Sequence, residues 1–236
     1  MKILGIIPAR SGSKGIPNKN IVDVCGKPLI EYTINPALTA LKQGYINHLI
    51  VSTDSEDIAK ISKALGADVP FLRPAELATD EAKSISLVTH AVEFYEKLDN
   101  YFDAVVLLQP TSPLRSATHI IDALKIFRTS DADSLISVYK DDKINLNKLY
   151  QSSDTTPTYC IPLFKDHNSG VRRQDIKPLF IRNGAIYITK VSYLKLEQKL
   201  ISAYPLLYAM DEMHSTDIDN FKSLEDVRSF IKFKHP

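Results

Sequence analysis

Two groups of residues in this chain are suited to chemistry on a phosphate ester, and they lie near its opposite ends. The first is the stretch 9–20, ARSGSKGIPNKN, where Arg10, Lys14 and Lys19 alternate with Ser11, Gly12, Ser13, Gly15, Asn18 and Asn20. Glycines let successive backbone N–H groups converge on one anion, and flanking cations attract it from a distance. The spacing fits neither G-x-x-x-x-G-K-[ST] nor G-x-G-x-x-G, which disfavours the common ATP and dinucleotide loops. The second group is Asp217-Ile218-Asp219. In extended backbone, alternate side chains share a face, so both carboxylates point one way and the isoleucine points into the core. A carboxylate pair suits Mg2+, which completes its shell with water and substrate phosphates. The same acidic turn could equally cap the helix after it. With the basic loop at the other end of the chain, it points to a metal–nucleotide substrate. His48, His90, His119, His167 and His214 show no ligand-like spacing and read as ordinary histidines. No nucleophile elbow is present.

The elements that must position these groups alternate along the chain. Residues 3–7, 48–53, 69–72, 104–108 and 134–139 are short apolar runs that read as strands. Between them, 28–44, 56–65, 84–98 and 118–127 carry helical periodicity. Pro36 should kink or restart the first of these helices, and Asp54 and Ser55 can cap the second. Strand and helix in alternation predict an α/β fold: a mostly parallel open sheet with helices on both faces. Ligands in such folds bind beyond the carboxyl ends of the strands, where the polar loops after residues 8, 72 and 108 lie. The rhythm breaks between 140 and 182, a polar irregular stretch that reads as an inserted arm carrying Lys148, Arg172 and Arg173. It resumes with a strand at 185–189, a helix at 192–200, a strand at 206–210 and a helix at 223–233. The expected organisation is a main α/β domain of residues 1–139 and 183–236, with 140–182 as the arm.

Composition sets the outer limits. The chain has 236 residues and a formal net charge of +1, without the basic excess of a nucleic-acid binder. Cys25 and Cys160 are too few for a disulfide framework or a zinc site. The first apolar run is too short for a signal-peptide core, and no run is long enough to span a membrane. The expectation is a cytoplasmic protein.

Five blocks, ARSGSKGIPNKN, LRPAELATD, LLQPTSPLR, RQDIKPLFIRNGAIYI and STDIDN, resemble the acylneuraminate cytidylyltransferases, in the family's order and from Ala9 to Asn220. The resemblance implies a Rossmann-like nucleotidyltransferase that moves CMP from CTP to the anomeric hydroxyl of a nine-carbon 2-keto sugar acid, such as N-acetylneuraminate or legionaminate. Pyrophosphate is released and Mg2+ is required. It also implies a homodimer whose arm reaches the partner's site in trans, with no nucleic-acid or membrane partner.

Residue by residue, the resemblance places Ala9, Arg10, Ser11, Gly12, Ser13, Lys14 and Asn20 in the nucleotide and triphosphate loop. Arg73 matches an arginine near the nucleotide, and Ser84 and Ser86 match the region lining the cytosine pocket. Gln109, Arg173, Gln174 and Tyr187 match sugar-binding positions, with Arg173 meeting the sugar carboxylate. Asp217 and Asp219 match the metal aspartates, and the catalytic group is Arg10, Lys14, Asp217 and Asp219. Two departures fall in the sugar region. Arg182 stands one place later than the arginine of the usual F-R-x-N-G, and Asn147, beside Lys148, stands where some members have a lysine. Competing readings are transfer to another acceptor (3-deoxy-manno-octulosonate, pseudaminate or a sugar alcohol phosphate) and a non-catalytic CTP-binding module.

Overall fold

The computed structural model describes residues 1–142, 144–165, 167–168 and 178–234. It divides into two compact units, one of residues 1–139 with 182–236 and the other of residues 140–181.

The first unit is built on a six-stranded sheet. In chain order its strands are β1 (Ile3–Pro8), β4 (His48–Ser52), β5 (Ala104–Leu107), β6 (Ser134–Asp141), β9 (Leu179–Lys190) and β10 (Leu206–Met210). Two short strands, β2 (Asp23–Val24) and β3 (Lys27–Pro28), form a separate hairpin. The sheet order is β10-β6-β9-β5-β1-β4. β1 lies parallel to both β4 and β5, and β10 lies parallel to β6. β9 runs antiparallel to β5, pairing Leu107 with Tyr187.

Each central strand is apolar on both faces, and its alternate residues sort into two cores. Ile3, Ile7, Leu49, Val51, Ala104 and Val106 pack on one side with residues of α1 (Glu31–Lys42), α2 (Glu56–Ala64) and α4 (Ala117–Arg128). Leu4, Ile6, Ile50, Val105 and Leu107 pack on the other with α3 (Ser84–Glu96) and α5 (Val191–Glu197). A period of two in the strands thus feeds helices on both faces. A third cluster joins Ile16, Val24 and Leu29 to Ile218, Leu224 and Val227, the last two on α6 (Phe221–Lys234). No described helix is long and apolar enough to cross a membrane.

Three local expectations are corrected. α1 continues through Pro36 without a restart. Thr33 and Ile34 before the proline and Ala37 and Ala40 after it are buried, so packing on both sides holds the helix together. Residues 69–72 form no strand; only isolated bridges link Ile50 to Asp68 and Thr53 to Leu72. Pro70 lacks the N–H that a continuous ladder needs there. Ser55 alone caps α2, accepting the Ile58 amide, while Asp54 turns elsewhere.

The second unit contains a two-stranded antiparallel ribbon, β7 (Tyr150–Ser152) with β8 (Cys160–Pro162), inside the stretch read as irregular.

Candidate active site

β1 ends at Pro8, and the loop beyond it is fixed from several sides. Ala9 is fully buried and still donates its amide to the Ser52 carbonyl at 2.9 Å. Asp54, just past β4, accepts the Ser11 amide at 2.8 Å and the Ser11 hydroxyl at 2.5 Å. Burial alone would raise the Asp54 carboxyl, but the Ser11 hydrogen bonds and the nearby Arg73 charge outweigh it and hold it below its ordinary value. The buried Asn20 amide donates to the Arg10 carbonyl at 2.9 Å. Gly15 packs on the Asp219 backbone: a Cβ there would stand 2.2 Å from the Asp219 carbonyl oxygen. That approach requires glycine and joins the two ends of the sequence.

The cations of the loop face an internal competitor. Arg10 Nη2 lies 2.7 Å and Lys14 Nζ 3.4 Å from the two oxygens of Asp80. The Arg10 hydrogen bond is the main cause of the lowered Asp80 carboxyl. An anionic ligand would displace Asp80 from these cations. Arg73 is held deeper: its Nε donates to Ser52 Oγ at 3.0 Å, and its Nη2 donates to the Ser52 carbonyl. Burial brings its pKa down to about 10, so it stays charged at neutral pH.

These residues border a cleft of about 250 Å3 at the carboxyl end of the parallel strands, which brings together Arg10, Gly12, Ser13, Asn20, Arg73, Ser84 and Gln109. Among the expected residues, Ser11 turns to Asp54, and Lys14 is largely exposed on Asp80. Ser86 lines a neighbouring groove with Ile85, Thr89 and His90 rather than this cleft. Two residues along a helix rotate a side chain by about 200°, so Ser84 and Ser86 cannot share one face. Arg173 and Gln174 lie outside the described residues.

Gln109 and Tyr187 reach the same end of the sheet because β9 runs against β5. Between them lies Gly184, with φ +77°, where a Cβ would stand 3.6 Å from Gln109 Oε1 and 4.0 Å from Tyr187 Oη. The displaced Arg182 stacks its guanidinium 5.9 Å from the Tyr187 ring centre. Burial raises the Tyr187 phenol, Arg182 opposes and Asp217 adds to it, so the hydroxyl remains a donor.

Ile218 is fully buried, and its amide donates to the Thr111 carbonyl at 2.8 Å. This anchors the acidic pair beside the loop after β5. Asp217 Oδ1 is buried and has no hydrogen-bond partner. Burial raises the Asp217 carboxyl, Thr111 opposes with a hydrogen bond, and the Asp219 charge raises it further. Asp219 is exposed, 3.5 Å from Lys19 Nζ, which also donates to the Ile218 carbonyl at 2.8 Å. A divalent cation would relieve both the orphaned buried oxygen and the like-charge repulsion. The donor set fits one.

Asp54, Asp80 and Thr111 join the site without a signature in the sequence. Asp54 and Thr111 sit in polar loops at strand ends, and Asp80 sits in the polar loop before α3. The histidines read as unrelated in the sequence, whereas His119, Asp211 and His214 offer ligand atoms within 4.8 Å of one another. Both rings already have partners: His119 Nδ1 accepts the Ser116 amide in the cap of α4, and His214 Nδ1 lies 2.7 Å from Asp211 Oδ2.

The cytidylyltransferase family model matches residues 4–231. An N-acylneuraminate cytidylyltransferase of Escherichia coli O18:K1:H7 is 38% identical over 225 residues, covering 95% of this chain and 51% of that protein. The CMP-N,N'-diacetyllegionaminic acid synthase of Legionella pneumophila is 37% identical over 225 residues, covering 93% of this chain and 91% of that one. The solved structure of a CMP:2-keto-3-deoxy-manno-octonic acid synthetase complexed with CTP superposes with a TM-score of 0.70 at 18% identity, over 99% of this chain and 100% of the other. That last likeness concerns the fold. The chain spans about half the length of the first curated relatives it matches, at 51% of each. Motif order, family match and the similarity to a relative of comparable length agree: the chain belongs to the acylneuraminate cytidylyltransferase family.

Proposed function

We propose that this chain transfers CMP from CTP to the anomeric hydroxyl of a nine-carbon 2-keto sugar acid, with release of pyrophosphate. The observation that carries the reading is the cleft itself. It gathers Arg10, Ser13, Arg73 and Gln109, and it adjoins a carboxylate pair held against the phosphate loop by Gly15. The relatives' names, N-acylneuraminate and N,N'-diacetyllegionaminic acid enzymes, support an acceptor of the nonulosonic type.

In this reading the sugar hydroxyl attacks the α-phosphorus in line, the new P–O bond forms as the bond to pyrophosphate breaks, and the hydroxyl proton passes to solvent. Such transfers depend on positioning and charge neutralisation, so no covalent nucleophile is needed. Arg10 and Lys14, freed from Asp80, neutralise the departing pyrophosphate, with loop amides assisting. Asp54 keeps the loop in shape through Ser11. Gln109 and the protonated Tyr187 orient the sugar. Asp217 and Asp219 would hold Mg2+, which when bound supplies charge neutralisation at the phosphates.

Pyrophosphate release tests the reading directly. With a panel of sugar acids, a nine-carbon 2-keto acid should be the best acceptor, ahead of the eight-carbon 3-deoxy acid. CTP should be preferred over ATP and GTP by about 100-fold or more, with UTP the nearest competitor. Equal rates with ATP, or release with no acceptor preference, would overturn it. Binding of CTP without turnover on any acceptor would favour the non-catalytic alternative.

We further propose a homodimer in which the arm of one subunit completes the site of the other. Within the second unit, Tyr150, Tyr159, Ile161, Leu163 and Phe164 are exposed, an apolar surface that supports a partner contact. Arginine suits a sugar carboxylate because its planar fork holds both oxygens. Arg173→Ala should therefore raise the sugar-acid KM far more than the CTP KM. Mixing Arg173→Ala subunits with Asp219→Asn subunits should restore part of the activity that each has lost. Demonstrated subunit exchange without recovered activity would place the arm in its own subunit.

A further inference from the structure

Arg115 is a buried side chain to which the proposed reaction gives no role. It is 1% exposed, and among the described residues it makes no ion pair. Its guanidinium hydrogen-bonds to neutral oxygens instead. Nη1 donates to the Gln109 carbonyl at 3.0 Å and to the Ala185 carbonyl at 2.7 Å, and Nη2 donates to Thr33 Oγ1 at 2.8 Å. Burial without a counter-charge lowers its pKa to about 9, which still leaves it protonated at neutral pH. A cation buried in this way is costly, and an apolar side chain could fill the same space.

What the guanidinium joins gives it a use. Gln109 begins the loop beyond β5. Ala185 lies in β9 between Gly184, which abuts the Gln109 side chain, and the strand residue Tyr187. A second tie holds Ala185 from the other side, because its amide donates to Asn183 Oδ1 at 3.2 Å, and Asn183 Oδ1 also accepts from Ser137 Oγ at 2.6 Å. The separation between Gln109 and Tyr187 is therefore set by backbone that a single planar group grips at two carbonyls. Nη1 alone meets both carbonyls, and Nη2, pinned by Thr33 Oγ1, holds the plane in place; a lysine ammonium has no such second arm. Arg115 is buried and both of its Nη atoms are spent on protein oxygens, so it acts through Gln109 and not on the ligand.

We propose that Arg115 is a positioning residue for the sugar-acid subsite, fixing Gln109 against β9 at the spacing the acceptor requires. The inference rests on the reading that Gln109 meets the sugar acid.

The experiment measures KM for the sugar acid and for CTP, with kcat and melting temperature, in Arg115→Lys, Gln109→Ala and the double variant. Arg115→Lys should raise the sugar-acid KM about 10-fold, the scale of one lost charged hydrogen bond, and leave the CTP KM within about twofold. Since both changes disable one device, the double variant should be little worse than Gln109→Ala alone. If Arg115→Lys does not fold, Thr33→Val removes one acceptor of the guanidinium and should give the same split at smaller size. A lower melting temperature with both KM values moved equally, or fully additive effects in the double variant, overturns the proposal for Arg115. If Gln109→Ala leaves the sugar-acid KM unchanged, the sugar-subsite reading fails, and the Arg115 proposal fails with it; an affected Gln109→Ala beside an unsplit Arg115→Lys sinks only the latter.

Discussion

Asp219→Asn and Asp217→Asn are each expected to lower turnover by on the order of 100-fold or more at saturating CTP and Mg2+, because each removes one carboxylate of the pair proposed to hold the metal. Their effects on stability should differ. Asp219 is exposed and its amide replacement should melt like the parent protein. Asp217 carries a buried, unpartnered Oδ1 beside the charge of Asp219. Its carboxyl is raised in the folded state, so its favourable contribution is complete below the unfolded value and is lost as pH rises through the folded one. Above the folded value the ionised group therefore opposes folding. Metal-free Asp217→Asn should melt at the parent temperature or above it at pH 7, and the difference should shrink on acidification. Near-parental turnover in Asp219→Asn would remove the metal assignment. A clear loss of stability at pH 7 in Asp217→Asn would show that the Thr111 hydrogen bond outweighs the cost of burying the charge.

Gly15→Ala should be the most damaging substitution in the basic loop. The added methyl would stand 2.2 Å from the Asp219 backbone carbonyl, and backbone cannot swing aside as a side chain can. Either the loop or the acidic turn must move, which separates the loop cations from the carboxylate pair. Strain of this kind costs about 1–3 kcal/mol, and kcat/KM for CTP should fall about 100-fold because the reacting groups lose register. Gly12→Ala is the control for stability, since a Cβ there meets nothing within 4 Å. Both proteins should be followed by thermal melting and by initial rates. Gly15→Ala with parental stability and rate would mean that the two ends of the chain are not coupled through this contact.

The two ends could be read as chemistry from the sequence because their residue types are unusual there. Seven donors or cations among small residues after an apolar strand have few structural uses, and Asp217-Ile218-Asp219 must split its faces wherever it is extended. Ile218 does point into the core, with Ile16 and Leu29 around it. The α/β class was legible for a similar reason: strands apolar on both faces, such as residues 104–107, require cover on both sides. Sequence could not show that β9 runs antiparallel, because direction depends on how the chain returns after residues 140–181 and no side-chain pattern records it. That direction is what delivers Gly184 and Tyr187 to the carboxyl end of β5. Nor could sequence separate Ser84 from Ser86 without the phase of α3 on the sheet. The contact of Gly15 with Asp219, the ties of Asp54 to Ser11 and Asp80 to Arg10, and the grip of Arg115 on Ala185 join residues far apart in the chain. Local propensity acts over a few residues, whereas these partners are chosen by the packing of whole strands and helices, and only the tertiary structure decides them.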